Sequence, residues 1–288
     1  MRKFGLILLF LIVILGGVIF FWNDILYFYK NLSLPKIEEK VGNLITQEIE
    51  KQVSTPPPLR AEKENPQSFL TRSGVIQWTN TQRAKYGLPP LKENTKLDAS
   101  AEIKAQDMLK NQYFAHESPT SAKVDDLVVN VGYDFIAIGE NLALGNFKDD
   151  ETLVQAWMDS PGHRANILNN KYQEIGVAVV KGLFQGETTW LAVQHFGMPL
   201  SSCPQPDENL KAEIENNNQE IQTIQANLES LKIEIQNIRP KNRELYNQKI
   251  EQYNTLVSQY NHLVAETEAL INKYNAQVKT SNDCVNAK

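Results

Sequence analysis

Four kinds of hydrophobic patterning follow one another along the chain. The first is an unbroken apolar stretch of 19 residues, Phe4 to Trp22. As a helix it would extend roughly 28 Å, close to the ~30 Å hydrocarbon core of a bilayer. It runs out in Ile19-Phe20-Phe21-Trp22-Asn23-Asp24 with no small-residue cleavage pattern. An uncleaved signal anchor over residues 1–29 is therefore expected rather than a cleaved leader. Arg2 and Lys3 hold the N-terminus in the cytoplasm and send all later residues outside, which makes the protein single-pass and the membrane its first partner. Tyr27, Phe28 and Tyr29 suit the headgroup boundary.

Residues 30–67 carry no sustained pattern. A short amphipathic helix around Ile37–Ile49 precedes Ser54-Thr55-Pro56-Pro57-Pro58, which reads as an extended polyproline spacer. From about Ser68 to Leu200 the periods become those of a folded domain. A helix through Ile76 and Trp78 is stopped by Tyr86-Gly87-Leu88-Pro89-Pro90. Leu97, Ala101, Ala105, Met108 and Leu109 recur at helical spacing and run towards His116. Glu151–Met158 gives a third helix, capped by Asp149 or Asp150, and Ser160-Pro161 starts a fourth, with serine as cap and proline at the first helical position. Glu174–Val180 and Thr188–Phe196 are strand-like, joined by a hairpin loop over residues 181–187. Helices flanking a small antiparallel sheet make this an α+β layered domain.

The last pattern is a heptad. Leu210, Ile214, Asn217, Ile221, Ile224, Leu228, Leu231, Ile235 and Ile238 alternate spacings of four and three. Pro240 interrupts it. A second run sets Tyr253, Tyr260 and Tyr274 on one frame with Leu256, Leu263 and Leu270 beside them. Residues 201–288 are thus expected as an antiparallel coiled-coil hairpin. Cys203 and Cys284, the chain's two cysteines, would meet at its open end in a disulfide; two free thiols or an interchain bond are the alternatives. Val257, Val264, Ile271 and Val278 form an apolar stripe that either faces a protein partner, widens the seam or packs on the preceding domain.

Composition adds one exclusion. Across 288 residues the net charge is −5 and the isoelectric point near 5.5, and no basic patch interleaves with the aromatic residues, so nucleic acid is not an expected partner.

Three motifs concentrate the chemistry: Tyr113-Phe114-Ala115-His116-Glu117-Ser118-Pro119, then Gly139-Glu140-Asn141, then Ser160-Pro161-Gly162-His163-Arg164-Ala165-Asn166-Ile167-Leu168. In that order, followed by Glu174-Ile175-Gly176-Val177-Ala178, they resemble the CAP superfamily (cysteine-rich secretory, antigen 5 and pathogenesis-related 1 proteins) in its bacterial extracytoplasmic branch. The resemblance covers about Ile76 to Met198. It implies an α-β-α sandwich with a shallow cleft lined by His116, Glu140 and His163. A zinc ion shared by His116 and His163 follows as an expectation from the resemblance and from imidazole chemistry. The alternative is a histidine–carboxylate network that braces the loops. The family's second glutamate is absent; Asp159 and Ser160 stand in its place after Trp157. Of Gln194 and His195, strand alternation sends only one to the cleft, and the resemblance leans towards Gln194. Ser160 and His163 could pair as nucleophile and base, except that a capping serine has its oxygen engaged. His262 reads as a solvated residue of the helical arm.

Binding of an envelope lipid or glycan in the cleft, with the arm contacting a protein partner, is the expected function. The alternatives are a metal-assisted hydrolase of envelope peptide, ester or cell-wall bonds, and an envelope scaffold built on the arm. The sequence leaves open whether the protein is an enzyme.

Overall fold

Six short and long strands assemble into one sheet in a computed structural model that describes residues 42–47, 49–238 and 242–287. The strands are β1 (Gln52–Ser54), β2 (Leu59–Arg60), β3 (Lys92–Glu93), β4 (Phe135–Leu144), β5 (Glu174–Phe184) and β6 (Glu187–Pro199). The order is β1-β4-β6-β5-β3, with β2 also on the outer edge of β4. The three long strands are antiparallel to one another, whereas β1, β2 and β3 add in parallel. The sheet is therefore mixed rather than purely antiparallel.

Helices cover both faces. On one lie α1 (Arg72–Lys85), α4 (Asp150–Asp159) and α5 (Pro161–Ile167), which bury Val75, Leu153, Trp157 and Ile167 against Ala137, Ala143, Ala192 and Phe196. On the other, α2 (Thr95–Asn111) packs Ala101, Ala105 and Met108 on Leu142, Ala178, Leu191 and Val193, with α3 (Val124–Asn130) beside it. This is the expected α-β-α sandwich. β4, the central part of β6 and the first half of β5 are buried on both sides, every residue of β4 among them. The close approach of α2 needs Gly176, where a Cβ would lie 2.1 Å from the Leu97 carbonyl carbon. Asp98 accepts a hydrogen bond there from the Val177 N–H at 2.9 Å.

The local signals act through ordinary caps. Thr71, Asn94 and Asp149 accept the first free N–H groups of α1, α2 and α4. The β5–β6 hairpin is longer than expected: the strands continue through residues 181–184 and 187–188, and only Gln185 and Gly186 turn, both at positive φ. That backbone matches the strand twist, so a two-residue turn replaces the seven-residue loop.

The largest difference from expectation lies at residues 52–60. The proline segment is not a spacer: β1 pairs Gln52, Val53 and Ser54 with Ala137, Ile138 and Gly139, and β2 pairs Leu59 and Arg60 with Ala143 and Leu144. Sheet-edge pairing, invisible to a composition argument, overrides the polyproline tendency. One compact unit runs from Thr46 to Gln205 and takes in the described residues from Val278 onward. Cys203 and Cys284 both belong to it and are joined by the expected intrachain disulfide.

A second unit holds Pro206–Gln277 and the described residues up to Ile45. Helix α6 (Glu208–Asn237) and helix α7 (Arg243–Ala287), the latter as far as Gln277, run antiparallel within it: the Asp207 N–H donates to Gln277 at one end, and Lys249 pairs with Glu234 at the other. The α6 seam is as expected, with Asn217 half-buried. The α7 seam is Tyr253, Val257, Tyr260, Val264, Thr267, Ile271, Tyr274 and Val278, spaced four and three without a break. Val257 and Val264 of the apolar stripe pack with Ile221, Ile224, Leu228 and Ile235 and so widen the seam, Ile271 lies against Gly42 and Val278 is buried, while Leu256, Leu263 and Leu270 are half-buried flanks.

The apolar run Phe4–Trp22, Pro240 and residues 37–41 and 48 of the expected helix at Ile37–Ile49 lie outside the described residues; residues 42–47 form no helix. Among the described residues no helix is long and apolar enough to cross a membrane.

Candidate functional site

The site is built on β4, whose Gly139-Glu140-Asn141 sends three consecutive residues to three different tasks. Gly139 admits Tyr172, whose hydroxyl would lie 2.5 Å from a Cβ at that position. Glu140 points to the α2 face and Asn141 to the α1, α4 and α5 face, as alternation along a strand requires. Facing them on β6, Glu140 pairs in register with His195 and Asn141 with Gln194.

Glu140 is completely buried and has both oxygens occupied. Its Oε1 accepts from His116 Nδ1 at 2.5 Å and its Oε2 from His195 Nε2 at 2.9 Å. Burial by itself would push this carboxyl up, but the two histidine bonds, with the charges of His195 and Lys104, outweigh it and hold it down to about 2. Glu140 is thus a carboxylate throughout the ordinary pH range. His195 is oriented from behind by Ser100, whose Oγ lies 2.7 Å from Nδ1. His116 is half-buried at the end of the loop after α2, and its Nε2 lies 2.5 Å from the carbonyl oxygen of Pro56. A carboxylate and a carbonyl are both acceptors, so each ring nitrogen of His116 faces an acceptor. Lys104, buried on α2, fixes the loop by donating to the His116 carbonyl at 2.6 Å. Desolvation pushes its ammonium below the usual range, against the pull of Glu140 and Asp107.

Asn141 organises the other face. Its amide donates to the His163 carbonyl and to Gln194 Oε1, each at 3.2 Å, and it accepts from Asn166 at 3.0 Å. Gln194 continues to Thr79 of α1 at 2.7 Å. His195, and not the favoured Gln194, therefore completes the Glu140 cluster, while Gln194 braces the helices. Side-chain direction along β6 decided this, and one sequence could not reveal which parity faced α2.

His163 stands apart from that cluster. Its Nδ1 lies 2.7 Å from Ser160 Oγ, and its Nε2 is buried without a hydrogen-bond partner. Burial first, and the neighbouring His116 second, push it down to about 4, so the ring is neutral near pH 7. Ser160 makes no side-chain capping bond; its oxygen turns to His163 instead. Asp159 is exposed and accepts from Gln155 at 2.8 Å, away from the Glu140 cluster. His262 is exposed on α7, 3.8 Å from Glu266.

For zinc, the donor set is thin. His163 Nε2 is the one ring nitrogen of the His116–His163 pair without an engaged partner, whereas a catalytic zinc needs three protein ligands. Among the described residues no three His, Cys, Asp or Glu side chains are grouped to hold a metal. In this arrangement the residues do not fit the ion.

Residues 76–196 match the cysteine-rich secretory protein family, CAP. This region is a CAP domain. It is 41% identical over 130 residues to the uncharacterized protein YkwD of Bacillus subtilis, covering 43% of this chain and 50% of that one. It is 34% identical over 105 residues to the uncharacterized membrane protein YlbC of the same organism, covering 36% and 30%. A crystal structure of an extracellular SCP-domain protein from Bacillus anthracis is 29% identical, covering 44% of this chain and 39% of that one, with a TM-score of 0.39, too low to bear on the fold. The chain spans half of YkwD and less than a third of YlbC.

Sequence reasoning missed Pro56, Ser100 and Lys104 at the CAP cleft. Lys104 had a readable signal, a lysine among Ala101, Ala105 and Met108 on the buried face of α2. Pro56 had none, because only the sheet register brings it to His116.

Proposed function

We propose that this is a membrane-anchored, extracytoplasmic CAP-domain protein whose cleft binds an envelope ligand, lipid or glycan being the expected classes, through a carbonyl or similar acceptor. The observation that carries the reading is the donor geometry of His116. With Glu140 as its buried carboxylate, His116 presents one N–H outward, and that N–H already meets a carbonyl oxygen. A carboxylate bonded to one ring nitrogen fixes the direction in which the other points. The anchor rests on the Phe4–Trp22 run and the positive residues before it. The helical pair would serve as the contact for a protein partner.

Hydrolysis is disfavoured by the same geometry. Glu140 has no free oxygen to take a substrate proton. Ser160 and His163 do meet, but a histidine held near 4 is a weak base, and no carboxylate orients its second nitrogen. Full-length protein in detergent micelles, incubated with isolated cell-envelope material, tests the choice by mass spectrometry. Retention of an intact molecule by the wild type and its loss in His116→Ala supports binding. New low-mass fragments that disappear in His116→Ala or His163→Ala would replace it with an enzyme.

A further inference from the structure

The segment 52–60 lies across the cleft, and its contacts have the form of a bound peptide. It enters in parallel beside β4 at Gln52–Ser54, leaves the edge opposite Glu140, Asn141 and Leu142, and rejoins it at Leu59. Between Ser54 and Leu59 the segment takes five steps where β4 takes four from Gly139 to Ala143. The surplus arches outward over the site residues. At the arch Pro56 is the one buried residue of the segment. It sits between His116, which holds its carbonyl oxygen, and Gly162 of α5, where a Cβ would lie 2.7 Å from the proline Cβ. Asn166 reaches the Ser54 carbonyl at 3.4 Å, and Arg60 lies over the ring of Phe114 at 5.2 Å.

At the arch these elements read the backbone and one proline ring, while side-chain contacts lie towards the ends, at Leu59 and Arg60; the rest of the segment stays exposed or half-exposed. Three consecutive prolines offer no N–H to the sheet, and at the centre of the strap the buried Pro56 meets His116 through its carbonyl. A proline run is also pre-extended, which lowers the entropy lost on docking. The site thus combines an open sheet edge, a slot for one proline and a histidine donor for its carbonyl, the requirements of β-strand addition.

We propose that the CAP cleft is a groove for an extended, proline-containing peptide, and that residues 52–60 occupy it in cis as a releasable strap that a partner peptide of the same chemistry displaces. The proposal rests on reading the cleft as a binding site and narrows its ligand to a peptide main chain. Gly162 is then a specificity residue, because any side chain there closes the proline slot.

The probe is a fluorescein-labelled synthetic peptide with the sequence of residues 51–61, read by fluorescence anisotropy against full-length protein in detergent micelles. The tethered strap competes at an effective concentration on the order of millimolar, so the wild type binds the probe weakly. Pro56→Asp combined with Leu59→Asp disables the strap and leaves the groove intact. This double variant should bind the probe at least about tenfold more tightly. Adding Gly162→Ala to it should abolish the gain. A double variant with the near-ultraviolet circular dichroism of the wild type and no gain overturns the proposal. A second measurement needs no variant: excess unlabelled peptide should speed amide exchange at residues 53–55 and 59–61 of the wild type, and unchanged exchange overturns the proposal too. If the double variant retains an envelope glycan or lipid yet ignores the peptide, the peptide groove is wrong and the binding reading stands. If it retains neither, both fall.

Discussion

The cleft and the helical pair distribute their energetics in opposite ways. In the helical pair, burial repeats every three or four residues, and each layer resembles the next. In the cleft, one carboxylate serves two histidines from different elements, and a third element meets one of those histidines through its backbone. A repeat tolerates loss of one layer, because its neighbours supply the same contacts. A convergent site has no duplicate for Glu140. The comparison separates redundancy from precision, and it predicts where substitutions will be felt.

Removing the hub should give the largest effect. Glu140→Ala leaves the buried His195 and the half-buried His116 without their shared acceptor, and loss of one partner from such a cluster costs about 3–5 kcal/mol. Urea unfolding measures it; a loss below about 1 kcal/mol would mean that the cleft is as redundant as the helices. Next comes the disulfide. Cys203→Ser with Cys284→Ser should cost about 2–4 kcal/mol, since the bond closes a loop across 81 positions. A thermal melt with and without reductant checks it.

The third test uses acid. His163 is lowered from 6.5 to about 4 in the folded protein, so the unfolded chain binds its proton first as pH falls. The contribution of His163 is therefore present above about pH 6.5 and is lost as pH drops towards 4, on the order of 2–3 kcal/mol in all. His163→Gln should flatten that part of the stability–pH profile; a slope unchanged by the substitution would contradict the buried, unpartnered ring. Glu140, held at about 2, adds a further loss between about 4.5 and 2.

The smallest effect sharpens the helical side. Val264→Ala should cost about 1–2 kcal/mol, and the neighbouring Leu263→Ala less, although leucine is the larger side chain. The reverse order in parallel urea titrations would restore the tyrosine–leucine frame. A strictly layered seam also predicts that Val264→Ala costs far less than Glu140→Ala.

The two regions differ as much in legibility. The α6 seam was readable residue by residue because helical neighbours are sequence neighbours, three and four apart. The α7 seam was readable in period but not in face: Tyr253, Tyr260 and Tyr274 were placed correctly, and the choice of valines over leucines as their partners depended on the rotation of the helix against α6. In the cleft, His116 and Glu140 were legible through their motifs, and the structure joins them directly. His195 was weighed below Gln194, and its role emerges only from the register of β6 on β4. His163, named with equal weight, turns out to be held by Ser160 and not by Glu140. Ser160 itself was read as a cap because serine before proline commonly is one; the imidazole three residues on takes its oxygen instead.

By itself the sequence determined most helices of the layered domain, the α6 heptad seam and the motifs that supply the site, because each depends on spacing within a short window or on a pattern of residue types. Tertiary structure alone decided what occupies the cleft. Ser54-Thr55-Pro56-Pro57-Pro58 has the composition of a spacer, and nothing local contradicts that reading. Its place beside β4 is fixed by backbone groups more than 75 residues away in the chain, Ala137 to Gly139 and Ala143 to Leu144. Main-chain pairing carries no residue-type signature, so a strand held chiefly through its backbone becomes visible only once the sheet that receives it has formed.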